Sequence, residues 1–283
     1  ADQGFEPAQY NLGVVCEQGM GVPQDDAEAA RWYRLAADQG YAPAQHNLGV
    51  LYTTGRGVAQ DDAEVVRWYR LAADQGYAPA QHNLGVLYDT GRGVLQDDAE
   101  MARWYRLAAD QGYHLAQFNL GRMYATGRGV PQDNAEAMRW YRLAADQYGD
   151  TRAQFNLGVM YETGRGVPQD NAEAARWYRL AADQGNTGAQ SNLGVMYETG
   201  RGVPQDNAEA MRWYRLAADQ GYAPAQHNLG VLYGTGRGVA QDDAEAARWY
   251  RLAADQGHAP AQHNLGVRHA NGTGVPQDDA EAA

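Results

Sequence analysis

"GRGVPQDNAEAMRWYRLAADQ" occupies residues 127–147, and nearly the same run returns from Gly164 and from Gly200. Looser copies begin at Gly55, Gly91 and Gly236. An active site needs one special constellation, whereas a chain that repeats an ordinary segment specifies a shape. The Asn of "NLG" sets the period. It falls at Asn11, Asn47, Asn83, Asn119, Asn156, Asn192, Asn228 and Asn264, 36 residues apart, with 37 between Asn119 and Asn156. The extra residue lies between Tyr148 and Arg152, in "DQYGDTRAQ", where other copies read "DQGYAPAQ". It is expected to lengthen one loop and to disturb the stacking there.

Each period reads as two helices. In "APAQHNLGVLYTTG", Pro43 suits a first helical turn. Ala44, Leu48 and Tyr52 lie on one stripe, and Gly55 ends the helix. Gly49 costs helix propensity, so its place implies close approach of a neighbouring helix. In "DDAEVVRWYRLAADQG", Asp61 and Glu64 have the spacing of a capping box, and Gly76 is the stop. Arg67 lies one turn from Glu64 and Asp74 one turn from Arg70, spacings that predict surface ion pairs. Neither helix can bury its apolar side alone, but stacked copies bury a continuous core. The prediction is an all-α array over residues 1–283, with eight first helices, seven second helices and a stub after Gln277. Both ends fall inside a period, which predicts a piece of a longer array and leaves head-to-tail self-association open. Cys16 in place of a Tyr, and Arg268 and His269 in place of "LY", are candidate partial caps.

Composition narrows the function. The net charge is −12 and every basic residue is Arg. Nucleic acid and anionic membranes call for a basic face, so neither is an expected partner. No apolar run reaches membrane-span length, so no membrane insertion is expected. A single cysteine, Cys16, excludes an intramolecular disulfide framework; it stands at a Tyr core position and reads as an inert thiol. Ser191 is the only serine. The glycines of "GRGV" follow a helix rather than a strand and lack a complete nucleotide-binding motif, so they read as a turn. The arginines of that loop, Arg56 to Arg237, read as partners of carboxylates in neighbouring repeats. Trp32 to Trp249 occur once per second helix, a regularity of core packing. No catalytic residue, metal site or cofactor is expected, and no initiator Met or leader decides the compartment.

Ala44, Leu48, Gly49, Tyr52, Gly55, Gly57, Val58, Gln60 and Asp61 together form a motif. It continues through Val65, Trp68, Tyr69, Ala72, Ala73, Gln75 and Gly76. This pattern resembles the Sel1-like repeat, a relative of the tetratricopeptide repeat; Val65 departs from the usual Ala. The resemblance covers the whole chain. It implies a right-handed α/α superhelical solenoid of 36-residue helix-turn-helix repeats. The function it implies is a non-enzymatic scaffold or adaptor for protein complexes in bacteria, in cytoplasmic or exported settings. Some cysteine-rich members are linked to β-lactam binding or hydrolysis, and this chain lacks that cysteine pattern.

Residues that vary between the copies are free to carry function. The position before the Asn holds Tyr10, His46, His82, Phe118, Phe155, Ser191, His227 and His263. By resemblance to tetratricopeptide arrays it faces the concave groove. Seven residues on, on nearly the same face, a second column includes Glu17, Asp89, Glu162 and Glu198. The expectation is a groove for a partner protein or peptide, with rings supplying contact area and carboxylates selecting basic side chains. Pairs such as His46 with His82 lack a third metal ligand at the usual spacing, but they make a pH-sensitive groove an expectation.

Overall fold

A computed structural model of the protein describes residues 4–278 and 280. Among the described residues there are fifteen α-helices and no strand. They fall into two compact units that divide between Tyr148 and Gly149.

The first unit holds α1 (Glu6–Gln18), α2 (Asp26–Asp38), α3 (Ala42–Thr54), α4 (Asp62–Asp74), α5 (Ala78–Thr90), α6 (Asp98–Asp110), α7 (His114–Thr126) and α8 (Asn134–Tyr148). The second holds α9 (Thr151–Thr163), α10 (Asn171–Asp183), α11 (Thr187–Thr199), α12 (Asn207–Asp219), α13 (Ala223–Thr235), α14 (Asp243–Ala254) and α15 (Ala259–Asn271). Within each unit every helix packs on the next in sequence, so each is an all-α solenoid of helix pairs. The expected stub of a further second helix falls largely outside the described residues.

Local chemistry sets the helix ends. Asp61 caps α4 by accepting from the Ala63 and Glu64 backbone N–H groups at 2.9 and 3.1 Å. Gly55 ends α3 with φ +72°, the left-handed conformation that a Cβ disfavours. The capping box is only half made. In α6, Glu100 accepts from the Trp104 indole at 3.1 Å and pairs with Arg103, because the Asp97 N–H already donates to the Tyr88 carbonyl. The pair expected between Arg70 and Asp74 gives way to a donation from Arg70 Nη2 to the Tyr88 hydroxyl at 2.5 Å.

The core repeats with the sequence. Leu48 and Leu51 of α3 pack with Ala29, Tyr33 and Ala36 of α2, and Trp68 of α4 joins the same cluster. The tryptophan therefore couples one helix pair to the one before it. Gly49 has the packing reason its position implies, since a Cβ there would lie 2.6 Å from Tyr69 Cε1. Polar groups inside the stack are matched. Buried Gln45 donates to the Ala37 carbonyl at 3.1 Å and accepts from Gln75 Nε2 at 2.7 Å. Gln81 and Gln190 repeat this pattern with Gln111 and Gln220.

The extra residue lengthens a helix rather than a loop. Tyr148 stands one place before Gly149, which postpones the glycine stop, and α8 runs to 15 residues where most of the others have 13. The Tyr148 ring stacks on His114 at 4.7 Å, and Asp150 caps α9.

Candidate functional site

The two variable columns lie on the first helices, and neighbouring residues hold most of their members. Tyr10, His46, His82, Phe118, Phe155 and His227 each set a ring against the second-helix tyrosine of the same pair, at 5.5–5.9 Å between centroids. Tyr10, His46 and His82 also meet the tyrosine that precedes the next first helix, at 5.3–5.5 Å. These three rings are thus wedged between repeats. Ser191 and His82 are buried, Phe118 and Phe155 are half-buried, and His263 is exposed.

The histidines take part in a directional chain. His46 Nδ1 lies 3.1 Å from Asn47 Oδ1, and His46 Nε2 accepts from Asn83 Nδ2 at 3.0 Å. His82 repeats the pattern with Asn83 and Asn119, and His227 with Asn228 and Asn264. The neutral ring with its proton on Nδ1 is the tautomer that satisfies both of these contacts. The two nitrogens of His46 and of His82 point at asparagines rather than at a shared centre. The asparagine that served as a ruler in the sequence is the link between repeats.

Burial lowers the pKa of His46 and, helped by nearby His258, that of His227, while the adjacent Asn partly opposes both shifts. A folded-state pKa below the usual 6.5 means that the unfolded chain binds more protons under mild acid. Stability is then complete above about pH 6.5 and falls as the pH drops through the lowered values. Urea midpoints should fall between pH 7.5 and 5, with each histidine contributing a slope of at most about 1.4 kcal/mol per pH unit. Phe occupies this column at Phe118 and Phe155, so the double variant His46→Phe, His227→Phe should flatten that dependence. An unchanged slope would assign the acid sensitivity elsewhere.

The carboxylate column is engaged in the same way. Glu17 Oε2 accepts from the Tyr33 hydroxyl at 2.6 Å, and its Oε1 meets Arg56 Nη1 at 3.2 Å. Glu162 takes Tyr178 and Arg201, and Glu198 takes Tyr214 and Arg237. Asp89 takes Arg122 and Arg128. The loop arginines also reach the first turn of the preceding second helix. Arg56 pairs with Asp26 at 2.6 Å and Arg92 with Asp62 at 2.5 Å. The Arg56 hydrogen bond holds the Asp26 carboxyl below the usual carboxylate range. Burial first, and then the carboxylate acceptor, pushes the Tyr33, Tyr178 and Tyr214 hydroxyls far above their ordinary value.

Three departures from the pattern are handled locally. Cys16 packs at the margin of the first core cluster, and burial raises its thiol pKa. Arg268, in the place of a core leucine, folds back onto Asp243 at 3.0 Å and over the Tyr250 ring. His269, in the place of a tyrosine, meets Arg251 Nη2 at 2.8 Å.

Among the described residues, no helix is long and apolar enough to cross a membrane. The Sel1 repeat model matches at residues 6–41, 42–77, 78–113, 114–148, 151–186, 187–222, 223–258 and 259–283. One similar solved structure is a protective antigen present in uropathogenic Escherichia coli strains and displaying an SLR fold. It has 40% identity and a TM-score of 0.92 over 99% of this chain. The match spans 60% of that protein's length. A Sel1 repeat protein from Oxalobacter formigenes has 38% identity and a TM-score of 0.75, over 99% of this chain and 81% of the other. No curated protein matches the sequence. Sel1 repeat proteins are generally non-catalytic scaffolds for protein interactions. With eight matched repeats and two solved relatives near 40% identity, this chain belongs to the Sel1 repeat family.

Proposed function

We propose that this chain is a non-enzymatic adaptor that holds segments of a partner protein along the first helices of each unit. One observation carries the reading: the framework is constant from copy to copy, while the ring and carboxylate columns on those helices vary. Constant tyrosines, glutamines and glycines fix the stack; buried positions such as Leu51 and Met123, or Val65 and Met101, exchange one apolar residue for another, whereas the columns change chemical class. The rings of Phe118 and Phe155 supply apolar contact, and Tyr10, His46, His227 and His263 supply mixed contact. Glu17, Asp89, Glu162 and Glu198 are the groups toward which basic partner side chains would turn. Their oxygens already accept from Tyr and Arg, so a basic side chain has to share them. That places most of the affinity on the rings and on the number of repeats engaged.

The test uses a substitution that the fold already tolerates. Histidine fills the Phe118 and Phe155 position in other repeats, so Phe118→His with Phe155→His should leave the melting temperature within a few degrees. Capture of a partner from bacterial lysate by the native chain should weaken by about tenfold or more in the variant, which corresponds to roughly 1.4 kcal/mol. Equal capture by both chains would move the site off this face.

A further inference from the structure

The second column follows a rule where it holds Glu, and four copies, at Thr53, Ala125, Gly234 and Ala270, lack a carboxylate there. Where it holds Glu, the carboxylate bridges two donors, the second-helix tyrosine hydroxyl and the loop arginine of the next repeat. Glu198 shows this with 2.7 Å to the Tyr214 hydroxyl and 2.8 Å to Arg237 Nη1. In α3 the column residue is Thr53, and both donors remain. The Tyr69 hydroxyl, which also bonds Asn83, has in place of a carboxylate only Thr53 Oγ1 at 3.3 Å, whose own proton goes to the Gly49 carbonyl at 2.8 Å. Arg92 spends Nε on Asp62 and Nη2 on the Thr53 carbonyl. Its Nη1 is the atom that reaches the column carboxylate in Arg56, Arg128 and Arg237.

The place of the missing carboxylate is open. A cavity of about 300 Å³ lies between α3 and α5, lined by Thr53, Tyr69, Asn83, Val86, Thr90 and Arg92. A corresponding cavity of about 380 Å³, with Tyr250, Asn264, Val267 and Arg268 in its wall, lies in the other unit. There the column residue is Gly234 and Thr273 stands where the loop arginine would be. Cavities thus occur in both units beside column positions that lack a carboxylate.

We propose that the Thr53–Tyr69–Arg92 cavity binds a carboxylate from outside the chain, the acidic side chain of a bound partner segment, in the position that Glu17, Glu162 and Glu198 fill elsewhere. One carboxylate oxygen accepts from the Tyr69 hydroxyl and the other from Arg92 Nη1, while the aliphatic stem lies on Val86. Such charge-assisted bonds are roughly twice as strong as neutral ones. The net charge of −12 opposes an acidic ligand at long range, but beyond about 8 Å that field is screened at physiological ionic strength. The local donors therefore decide. In naming a side-chain class for the partner, this inference rests on the adaptor reading. The cavity chemistry itself is testable without a partner.

The experiment is an NMR titration of the whole chain with N-acetyl-glutamate methylamide, beside the neutral N-acetyl-glutamine methylamide and the terminal carboxylate of N-acetyl-alanine. The acidic side-chain probe should give saturable shifts at Thr53, Asn83 and the Arg92 side chain, with a dissociation constant on the order of 1–10 mM. The glutamine probe should give none. Thr53→Glu should remain folded by circular dichroism, melt no lower than the native chain, and lose the response, because its own carboxylate fills the cavity. Thr53→Ser, which keeps the cavity, should retain it. Equal shifts from the acid and amide probes, or an undiminished response in Thr53→Glu, would overturn the proposal. Tighter binding of N-acetyl-alanine would overturn the side-chain assignment in favour of a chain terminus. Saturable binding without any captured partner would support the cavity and count against the adaptor.

Discussion

Replacing Trp213 with Ala is expected to cost about 3–5 kcal/mol of stability. Trp213 is almost fully buried, and the cluster it completes joins Ala174, Tyr178 and Ala181 of α10, in the preceding pair, to Leu193 and Met196 of α11, in its own pair. Its ring also lies between two guanidinium groups, Arg179 at 4.9 Å and Arg212 at 5.0 Å. Truncation therefore removes a large apolar volume and an interface between repeats together. In a stack held by nearest-neighbour contacts, losing one interface splits the unfolding transition near it. Urea unfolding followed by circular dichroism should show an earlier first transition, and amide protection should fall first in α10, α11 and α12. A loss below about 1 kcal/mol with unchanged exchange would show that the tryptophan is not the coupling element.

Gly202→Ala should be nearly as damaging, for a different reason. Gly202 sits in the loop after α11 at φ +71°, where an L side chain costs about 1–2 kcal/mol. A Cβ there would also lie 2.1 Å from the Asn171 carbonyl oxygen and 2.3 Å from its carbon. Both are backbone atoms at the start of α10, so no side chain can swing aside, and overpacking adds roughly 1–3 kcal/mol. Gly221 is the internal control. Its φ is +86°, but nothing lies within 4 Å of its Cβ position. Gly221→Ala should show the conformational cost alone. Equal urea midpoints for the two variants would mean that the loop lifts off α10 without penalty.

These two positions differ in how far they could be read in advance. The once-per-repeat tryptophan already implied core packing, and the "GRGV" glycines already implied a turn. The sequence left unstated what each packs against. The backbone that forbids a Cβ at Gly202 lies on the previous second helix, and the core around Trp213 draws on that same helix of the previous pair. The variable columns show the same limit. Their position on the first helices followed from spacing. Their tight engagement did not, because the groups that hold them sit in the second helix and in the next repeat.

By itself the sequence determined the helices, their ends, the repeat length and the need for stacking. All of these rest on propensities, caps and apolar spacings within a turn or two of helix, and on the recurrence of one segment. Only the tertiary structure decided which side chains meet. The Gln45–Gln75 bond spans 30 residues, the Asn83–His46 bond 37 and the Arg56–Glu17 bond 39. Each joins groups about one period apart, and such groups come within hydrogen-bond reach only after stacking has fixed the offset between copies. The same offset sets Tyr69 and Arg92 in the wall of an open cavity at Thr53, a column position without a carboxylate.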